Sequence, residues 1–390
     1  MLNPYTGYLR TWAEISLDAI EHNVRAVRAR IGPGVKLMCV IKADGYGHGA
    51  RALARFLADK CDYFAVAILE EALALRRSGV TMPILLLGYT SPSQYEAALR
   101  ADITLAMHSL EDAQTLSGIA NKMGKRAVIH IKVDTGMGRI GFADTEASAG
   151  QIAQIARLPG IKIEGIFTHF ARADEADKTS VNEQYRRFNA FLNNAPLSTL
   201  HSPLIRHCCN SAASIEETRH FDMVRLGISL YGLYPSEEVH KANVPLLPAM
   251  QWKTHVVHLK TVPPGTGLSY GHTFVTARET RVATLPIGYA DGYPRALSNR
   301  GHVMIHGQFA PILGRICMDQ CLADVTEIPA VEREDEVILL GRAGERGITM
   351  EEIGAMSASF NYETACRVGK RVPRIYVYRG AVVDSEGFEG

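Results

Sequence analysis

The chain has 390 residues, of which 47% are hydrophobic and 21% are charged, and its formal net charge is +1. A chain of this length usually exceeds what one hydrophobic core serves, so two domains are expected. The near-neutral charge argues against nucleic acid or an anionic membrane surface as a partner. No apolar run reaches the roughly 20 residues that span a bilayer, and the N-terminal residues lack the pattern of a secretory signal.

The seven cysteines do not form the pattern of a disulfide framework, and two of them, Cys208 and Cys209, are adjacent. Cys317 and Cys321 lack the matching second pair that a zinc site would need, so no metal is expected. A reducing cytoplasm is the compartment that fits this cysteine usage.

In chain order, eight short apolar runs alternate with segments of helical spacing. They lie at residues 35–42, 63–69, 83–89, 103–109, 127–134, 161–170, 204–210 and 222–228. Buried parallel strands form continuous apolar runs, and their alternation with helices indicates βα units. Eight such units predict an α/β fold of the TIM type, a closed (β/α)8 barrel.

After about residue 240, apolar and polar residues alternate around Gly and Pro turns, and one helical stretch at 349–358 interrupts them. This alternating pattern predicts a mainly β C-terminal domain with its own core. The loop at 235–248 marks the boundary by composition. We therefore expect the barrel in residues 1–243 and the β-rich domain in residues 244–390.

The stretch VIKADGYGHGA, at residues 40–50, brings Lys42 to the end of the first predicted strand and follows it with glycines. Alone, this is explained by a solvated lysine that closes a strand. In a (β/α)8 barrel, however, catalytic groups gather at the C-terminal ends of the strands. Lys42 is therefore also a candidate for a low-pKa amine that forms a Schiff base.

Other polar residues also close predicted strands: His169 the sixth, Asn210 and Ser211 the seventh, and Arg225 with Gly227 the eighth. Each has an ordinary alternative. His169 could be a core histidine, Arg225 a surface charge, and Ser211 the N-cap of the following helix. Their common position at one mouth of the barrel favours a site.

A phosphate site is predicted from the segments NSAAS at 210–214 and RLGIS at 225–229, which follow the seventh and eighth strands. Loops at this position often hold phosphate in such barrels, and a helix N-terminus favours an anion. A lysine that forms an imine, a phosphate cradle and an arginine together point to pyridoxal phosphate.

A competing motif is GMGRIG at 136–141, which matches the dinucleotide-binding pattern and has Glu164 downstream as a possible ribose ligand. Glu164 lies inside the next apolar run rather than at its end. Arg139 also occupies the turn that a pyrophosphate would need. A dinucleotide site is therefore disfavoured.

The motifs now allow a comparison with a known family. The segments VIKADGYGHG, KVDTGMGRIGF, HCCNSAA, MVRLGISLYG, LSYG, LPIGYADGYPR, GRICMDQ and NYE with RVPRIY resemble bacterial alanine racemase in order and spacing. The resemblance runs from about residue 10 to 380. One departure is Asp44–Gly45, where the family more often has Asn–Ala.

The resemblance implies a role for each matching barrel residue. Lys42 would carry pyridoxal 5'-phosphate through an imine, Arg225 would face the pyridine nitrogen, and Arg139 would face the phenolic oxygen. His169 would lie beside the ring and link Arg225 to a catalytic tyrosine, and Lys132 matches a position that is often carbamylated. The phosphate would be held by Tyr46, Ser211, Gly227, Ile228 and Tyr362.

The resemblance also implies a homodimer in which the C-terminal domain of one chain completes the active site of the other. The residues that would arrive from the partner chain are Tyr270, Tyr289, Cys317, Met318 and Asp319. The substrate would be contacted by Arg139 and by four of these partner residues, Tyr289, Cys317, Met318 and Asp319.

The implied reaction interconverts L-alanine and D-alanine, with D-alanine used for cell-wall peptidoglycan. It removes the α-proton from one face and returns a proton to the other, which needs a base on each side. Lys42 would serve the D-face and Tyr270 the L-face. A cationic Arg225, acting through His169, would favour the phenolate.

Three alternative functions can be compared with the sequence. Decarboxylases of the same fold pair the ring nitrogen with a glutamate, and Arg225 argues against them. A pyridoxal phosphate carrier of the barrel-only kind would not need the second domain. A serine or broad-specificity racemase stays open, although Tyr362, Tyr289 and Met318 indicate a cramped pocket that favours alanine.

Overall fold

The computed structural model describes residues 9–193 and 204–387. Part of the N-terminal segment in which we expect no secretory signal lies outside these ranges. The chain divides into two compact units. The first contains residues 19–45 and 53–248, and the second contains residues 46–52 with the described parts of 1–18 and 249–390.

The first unit is built on eight parallel strands. They are β2 (Lys36–Val40), β3 (Tyr63–Val66), β4 (Ile84–Leu86), β5 (Thr104–Met107), β6 (Ala127–Asp134), β8 (Ile161–Phe167), β9 (Ile205–His207) and β10 (Met223–Leu226). From β2 to β9 each pairs with the next along the chain, β10 pairs with β2, and the two-residue β7 (Phe142–Ala143) adds to β6. The Arg225 amide donates to the Cys209 carbonyl at 3.0 Å, which links β9 to β10. The predicted closed barrel is confirmed.

Helices follow the strands of the barrel. In chain order they are α1 (Leu17–Ile31), α2 (Ala50–Leu57), α3 (Leu69–Arg77), α4 (Tyr95–Arg100), α5 (Leu110–Lys122), α6 (Glu146–Ile155), α7 (Thr179–Leu192) and α8 (Ser211–Glu216). Helix α5 begins at a serine cap, because the Ser109 hydroxyl accepts from the Asp112 amide at 3.1 Å. Thr145 caps α6 in the same way.

The barrel strands form because their apolar runs are buried on both faces. In β3, β4 and β5 every residue is buried, and in β2 only the first residue, Lys36, is exposed. Such strands lack the in–out alternation of a half-exposed sheet. The polar residues that follow them therefore lie at the strand ends, where a barrel places its chemistry.

The second unit is mainly β, as predicted. Its largest sheet contains β1 (Thr11–Ser16), β11 (Met250–His255), β16 (His302–Ile305), β17 (Gln308–Pro311), β19 (Glu336–Ala343), β20 (Arg346–Ile348), β21 (Arg374–Tyr378) and β22 (Ala381–Glu386). Smaller sheets are formed by β12 (His258–Val262), β15 (Thr280–Leu285) and β18 (Cys321–Asp324), and by β13 (Gly267–Leu268) with β14 (Phe274–Val275).

Two features of this unit differ from the sequence prediction. Strand β1 pairs antiparallel with β11 and parallel with β21, so an N-terminal strand belongs to the mainly β unit. Composition could not reveal this, because the partners of β1 lie more than 230 residues away. The boundary near residue 243 itself stays a prediction. The expected helix is α9 (Met350–Met356), and a second helix, α10 (Asn361–Cys366), follows it.

All seven cysteines are free thiols. In the described ranges, no helix is both long and apolar enough to cross a membrane. The same residues contain no group of three or more His, Cys, Asp or Glu side chains that could hold a metal ion.

Candidate active site

Lys42 opens a left-handed turn rather than closing the strand. Strand β2 ends at Val40, two residues earlier than predicted. The next residues have φ and ψ near +50°: 51° and 48° at Ala43, and 53° and 50° at Asp44. Gly45 and Tyr46 continue the turn with φ of 62° and 50°. For residues other than glycine this conformation costs roughly 1–2 kcal/mol each, so neighbouring structure must hold the turn in place.

Glu71 in α3 provides part of that support. One of its carboxylate oxygens accepts from the Ala43 amide at 2.6 Å, and the other accepts from the Ala67 amide at 2.8 Å. The Gly45 amide also donates to the Ile41 carbonyl at 2.9 Å. These contacts fix the backbone that presents Lys42 at the end of the first barrel strand.

Arg225 is buried, with 3% of its surface exposed. Its Nη1 donates to His207 Nδ1 at 2.8 Å, and its Nη2 contacts His169 Nδ1 at 3.1 Å. Nη2 also donates to the carbonyls of Thr168 and Cys208, both at 2.9 Å. In the described ranges Arg225 has no carboxylate partner, and its hydrogen bonds leave Nε available for an acceptor.

His169 lies among cations. Desolvation by the surrounding protein lowers its pKa well below the usual value, and the positive charges of Arg225, Arg139, Lys132 and Lys42 lower it further, in that order. His169 is therefore neutral at pH 7. Four cations around one neutral imidazole form a strongly electropositive mouth, which suits an anionic ligand.

Lys132 in β6 is buried, and its Nζ donates to the Val133 carbonyl at 2.8 Å. Burial lowers its pKa to about 8, an effect that Asp134 opposes and that Arg225 and Arg139 reinforce. An appreciable share of this amine is thus uncharged near neutral pH. The structure brings it close enough to Arg139 for their charges to interact.

The glycine-rich loop at 136–141 binds a carboxylate from its own chain. Asp134 Oδ1 accepts from the amides of Gly136, Met137 and Gly138 at 2.8–3.1 Å, and Oδ2 accepts from the Arg139 amide at 3.1 Å. These amides are the groups that a dinucleotide phosphate would need. Glu164 lies in the middle of β8. Both observations agree with the sequence argument against a dinucleotide site.

The segments of the predicted phosphate cradle lie at the ends of β9 and β10. Asn210, not Ser211, caps α8, because its side-chain oxygen accepts from the Ala213 amide at 3.0 Å. The Ser211 hydroxyl instead accepts from the Gly227 amide at 2.9 Å and from the Ser229 amide at 3.4 Å. The structure thus brings Ser211, Gly227 and the adjoining Ile228 together at the ends of β9 and β10.

The two tyrosines expected at the phosphate, Tyr46 and Tyr362, belong to the second unit and lie near each other, with ring centroids 6.3 Å apart. Gly47 allows the turn to lie close to α10. It has φ of +79°, and a Cβ there would lie 2.3 Å from the Ala365 carbonyl oxygen. A residue with a side chain at this position would push the turn away from α10.

A second group of candidate residues lines an open cavity of about 630 Å³ in the mainly β unit. The cavity is formed by Ser269, Tyr270, Gly271, His272, Cys317, Met318, Asp319 and Gln320. Tyr270 and Met318 are 71% and 53% exposed. The Ser269 hydroxyl donates to the Arg315 carbonyl at 2.5 Å and lies 3.5 Å from Cys317 Sγ, which ties the two sides of the cavity together.

Tyr289 is joined to this group through the backbone. Its amide donates to the Cys317 carbonyl at 3.1 Å, and the Ala290 amide donates to the Met318 carbonyl at 3.0 Å. Asp319 is held from the other side by Arg371, with 2.9 Å between Oδ1 and Nη2. The C-terminal residues predicted from the motifs are therefore one cluster on one unit.

Comparison with known proteins decides the family. Residues 15–235 match the N-terminal domain of alanine racemase, and residues 249–376 match its C-terminal domain. Together these matches cover most of the chain. The chain belongs to the alanine racemase family.

Individual family members agree along nearly the whole length. An alanine racemase of Desulforamulus reducens is 48% identical over 94% of this chain and 98% of its own. One of Methanococcus maripaludis is 47% identical over the same shares. The solved alanine racemase of Clostridium difficile 630 superposes with a TM-score of 0.94 at 39% identity, covering 98% of this chain and 99% of its own.

A Bacillus anthracis member of the alanine racemase family, solved with bound L-Ala-P, has a TM-score of 0.91 at 36% identity and covers 98% of each chain. These comparisons confirm the predicted fold, a parallel barrel followed by a mainly β domain. They favour alanine over the serine or broad-specificity alternative.

Several residues near the family site were missed by the sequence argument. His130 stands inside the apolar strand β6, where a histidine resembles an ordinary core residue, and His207 ends the short strand β9. Thr168 contributes only its backbone carbonyl, which no side-chain pattern reveals. The available signal was weak: one histidine among the apolar residues of β6, and one that follows Ile205 and Arg206 in β9.

Proposed function

We propose that the chain interconverts L-alanine and D-alanine with bound pyridoxal 5'-phosphate, as a homodimer with shared active sites. The observation that carries the proposal is the electropositive barrel mouth, where Arg225 contacts histidines and carbonyls and Lys42, Lys132 and Arg139 add positive charge. A phosphorylated cofactor is an anion that suits this mouth.

The donors present fit the proposed cofactor. Lys42 would attach it, and Arg225 Nε would donate to the pyridine nitrogen. Arg139 would face the phenolic oxygen, and His169 would lie beside the ring. The phosphate would be held by Tyr46, Ser211, Gly227, Ile228 and Tyr362. When bound, pyridoxal phosphate supplies an electron sink that makes the α-proton of an attached amino acid acidic.

The protein residues would move that proton. The Lys42 amine would take it from, or return it to, the D-face. Tyr270 of the partner chain would do the same on the L-face. Tyrosine is a poor base near neutral pH, so a nearby positive charge must favour its phenolate. Arg225 would supply this charge through His169, because the neutral His169 can pass on the polarisation of the guanidinium.

Arg225 would also shape the outcome of the reaction. A guanidinium cannot accept a proton from the ring nitrogen and stays positively charged. The ring is then a weaker electron sink than it would be beside a carboxylate. The deprotonated substrate should therefore be short-lived, which favours prompt return of a proton over side reactions.

Substrate contacts would come from Arg139 and from the partner chain's Tyr289, Cys317, Met318 and Asp319. The exposure of Tyr270 and Met318 supports this assignment, since large apolar side chains that surround a cavity often mark an interaction surface. We assign the reaction to the cytoplasm, which the free thiols support, and its product to cell-wall peptidoglycan.

Lys132 is proposed to be carbamylated and to orient Arg139 as an anion. Its pKa of about 8 supports this, because carbon dioxide adds to a neutral amine with release of a proton. Protein prepared in ¹³C-bicarbonate should show a carbamate carbon signal. Lys132→Arg should lack it, whereas a signal that survives in this variant would remove the proposal.

The proposed cofactor chemistry has a direct test. The purified protein should be yellow, and borohydride should fix the cofactor on Lys42 as a stable secondary amine found by peptide mapping. Lys36, at the exposed start of the same strand, is the matched control and should stay unmodified. An adduct elsewhere, or a colourless protein after soaking with the cofactor, would overturn the assignment.

Substrate range requires a second measurement. A panel of amino acids followed by chiral chromatography should show alanine turned over fastest. If serine or a larger amino acid were faster, the chain would be a broad-specificity racemase within the same fold.

A further inference from the structure

A continuous row of polar side chains crosses the barrel interior from Arg225 to Glu164. His207 Nδ1 lies 2.8 Å from Arg225 Nη1. His207 Nε2 lies 2.9 Å from His130 Nδ1. His130 Nε2 lies 3.6 Å from Glu164 Oε2. Each ring nitrogen of His207 and His130 thus faces a neighbouring side chain of the row.

The donor and acceptor roles along this row follow from Arg225. A guanidinium only donates, so His207 Nδ1 must accept. A neutral His207 then carries its proton on Nε2 and donates to His130 Nδ1. A neutral His130 in turn carries its proton on Nε2, directed at Glu164. A single pair of tautomers satisfies all three contacts.

Both histidines are neutral in this setting. Burial lowers the pKa of His207 well below its usual value, and the charge of Arg225 adds to the effect. Burial also lowers the pKa of His130, although the Glu164 carboxylate opposes the shift. Burial lowers the pKa of Arg225 only to about 10, so the guanidinium keeps its proton at neutral pH.

Glu164 closes the row with a negative charge. Contact with His130 lowers its pKa to about 2, against the effect of burial and with help from Lys162 and Tyr63. Its Oε2 accepts from the Tyr63 hydroxyl at 2.9 Å, and its Oε1 accepts from Lys162 Nζ at 2.8 Å. Lys162 is 41% exposed at its side chain, so this end of the row meets solvent.

The strands make room for this arrangement. His130 in β6 faces Gly165 in β8, next to a register shift between Ile129 and His130. A Cβ on Gly165 would lie 2.6 Å from both Cε1 and Nδ1 of His130. His130 Nε2 makes no hydrogen bond to the described residues, and its proton is directed at Glu164 Oε2, which at 3.6 Å lies just beyond hydrogen-bond distance.

We propose that Glu164 is a positioning residue for Arg225, acting through His130 and His207. Its carboxylate stabilises the Nε2-protonated tautomers that Arg225 requires, so that His207 offers a lone pair to Arg225 and holds the guanidinium in a single orientation. The catalytic consequence rests on the proposed role of Arg225 at the ring nitrogen. The tautomers themselves do not depend on that role.

Neutron diffraction on crystals of the purified protein tests the tautomers directly. We expect deuterons on Nε2 of both His130 and His207, and none on either Nδ1. A deuteron on Nδ1 of either ring would overturn the proposal whatever the enzyme's activity. The same experiment on Glu164→Gln should give the unchanged pattern, because an amide oxygen can still accept from His130 Nε2.

Kinetics on matched variants tests the consequence for Arg225. Glu164→Leu removes the acceptor and should lower kcat roughly tenfold with KM little changed, since a displaced group far from the reacting atoms can cost up to about a hundredfold. Glu164→Gln should stay within about twofold of the unaltered protein. Lys162→Met is the control, because it removes the exposed ion pair and leaves the row intact.

The outcomes separate this inference from the proposed function. If no racemisation is found but the neutron pattern is as expected, the proposed function fails and the assigned tautomers stand. If Glu164→Leu keeps full kcat, or if Glu164→Gln loses as much as Glu164→Leu, the positioning role is wrong. Should Glu164→Leu not fold, a kcat for Glu164→Gln outside the expected twofold range would still contradict the positioning role.

Discussion

The two groups of candidate residues differ in how firmly each unit holds them. In the barrel, Arg225 is 3% exposed and hydrogen-bonded to two histidines and two carbonyls. In the mainly β unit, Tyr270 is 71% exposed beside an open cavity. In the barrel the buried guanidinium is held by hydrogen bonds, whereas the side chains at the cavity are open to solvent in the single chain.

This difference has a chemical meaning. Buried, preorganised charges act strongly and need no rearrangement when the reaction occurs. An exposed tyrosine has no fixed position until other groups surround it. A two-base reaction that takes one base from each kind of region should thus depend on the barrel for electrostatics and on assembly for the second base.

Tyr270→Ala is the strongest test of this difference between the two units. We expect exchange of the α-hydrogen of L-alanine in deuterated water to fall about a thousandfold, within the range for loss of an acid–base group. Exchange from D-alanine should persist, because Lys42 still serves that face. Tyr270→Phe, which keeps the ring, should behave in the same way.

Overall racemisation must fall equally in both directions, since the equilibrium constant is one. Exchange followed separately for each enantiomer is therefore the informative measurement. Comparable loss for both enantiomers, with the cofactor still bound, would leave Lys42 as the only base and the exposed cluster without a catalytic role.

On the barrel side, Arg225→Glu should slow racemisation about a hundredfold and produce ketoacid by transamination. A glutamate can share a proton with the ring nitrogen and prolong the life of the deprotonated substrate. Arg225→Lys keeps a positive charge and is the control, with slower turnover but no ketoacid. Unchanged turnover without ketoacid in Arg225→Glu would show that this charge does not set the outcome.

The burial of the barrel histidines predicts how stability changes with pH. His130, His169 and His207 all have a lowered pKa in the folded protein, against about 6.5 when unfolded. Above pH 6.5 both states are neutral. Below it the unfolded state binds protons that the folded state does not, so the free energy of unfolding falls by up to about 1.4 kcal/mol per pH unit per histidine.

Denaturant unfolding at pH 7.5, 6.5 and 5.5 measures this decline. In His207→Gln the free energy of unfolding should fall less steeply as the pH is lowered. The difference in slope should correspond to about one proton, whatever the stability of the variant at pH 7.5. A flat profile between pH 6.5 and 5.5 would mean that these rings are protonated in the folded barrel, contrary to the roles proposed for them.

The smallest expected effect is the recovery of activity when two different inactive chains form a dimer. Inactive Lys42→Ala chains mixed with inactive Tyr270→Ala chains should recover about a quarter of normal activity. Half of randomly formed dimers are mixed, and one of their two sites contains both intact residues. Proven subunit exchange without recovery would place Tyr270 in the active site of its own chain.

The sequence predicted the barrel well because its signal is local. Eight continuous apolar runs correspond to eight buried strands, and no long-range knowledge is needed to recognise them. Strand β1 could not be assigned in this way, since its partners lie in β11 and β21. The left-handed turn after Lys42 was also beyond reach, because Ala43 and Asp44 adopt it only under the constraint of contacts such as that with Glu71.

The site was predicted unevenly for a related reason. Lys42, His169 and Arg225 stand at strand ends, where position alone suggests chemistry. Tyr270 and Asp319 lie in loops without such a signal and were found only through the resemblance to a family. The ordinary alternative for Ser211, the cap of α8, is instead filled by Asn210, and the sequence could not separate the two because both residue types are good caps.

The pairing of β1 bears on how the protein is made. Residues 11–16 leave the ribosome early, yet their first partner strand, β11 at 250–255, is synthesised some 235 residues later, roughly 10 to 50 seconds at 5 to 20 residues per second. During that interval a strand containing Trp12, Ala13 and Ile15, all buried in the folded protein, has no sheet to join. Nascent chains of this protein should therefore depend on chaperones that cover a short apolar segment near the N-terminus until β11 has been synthesised.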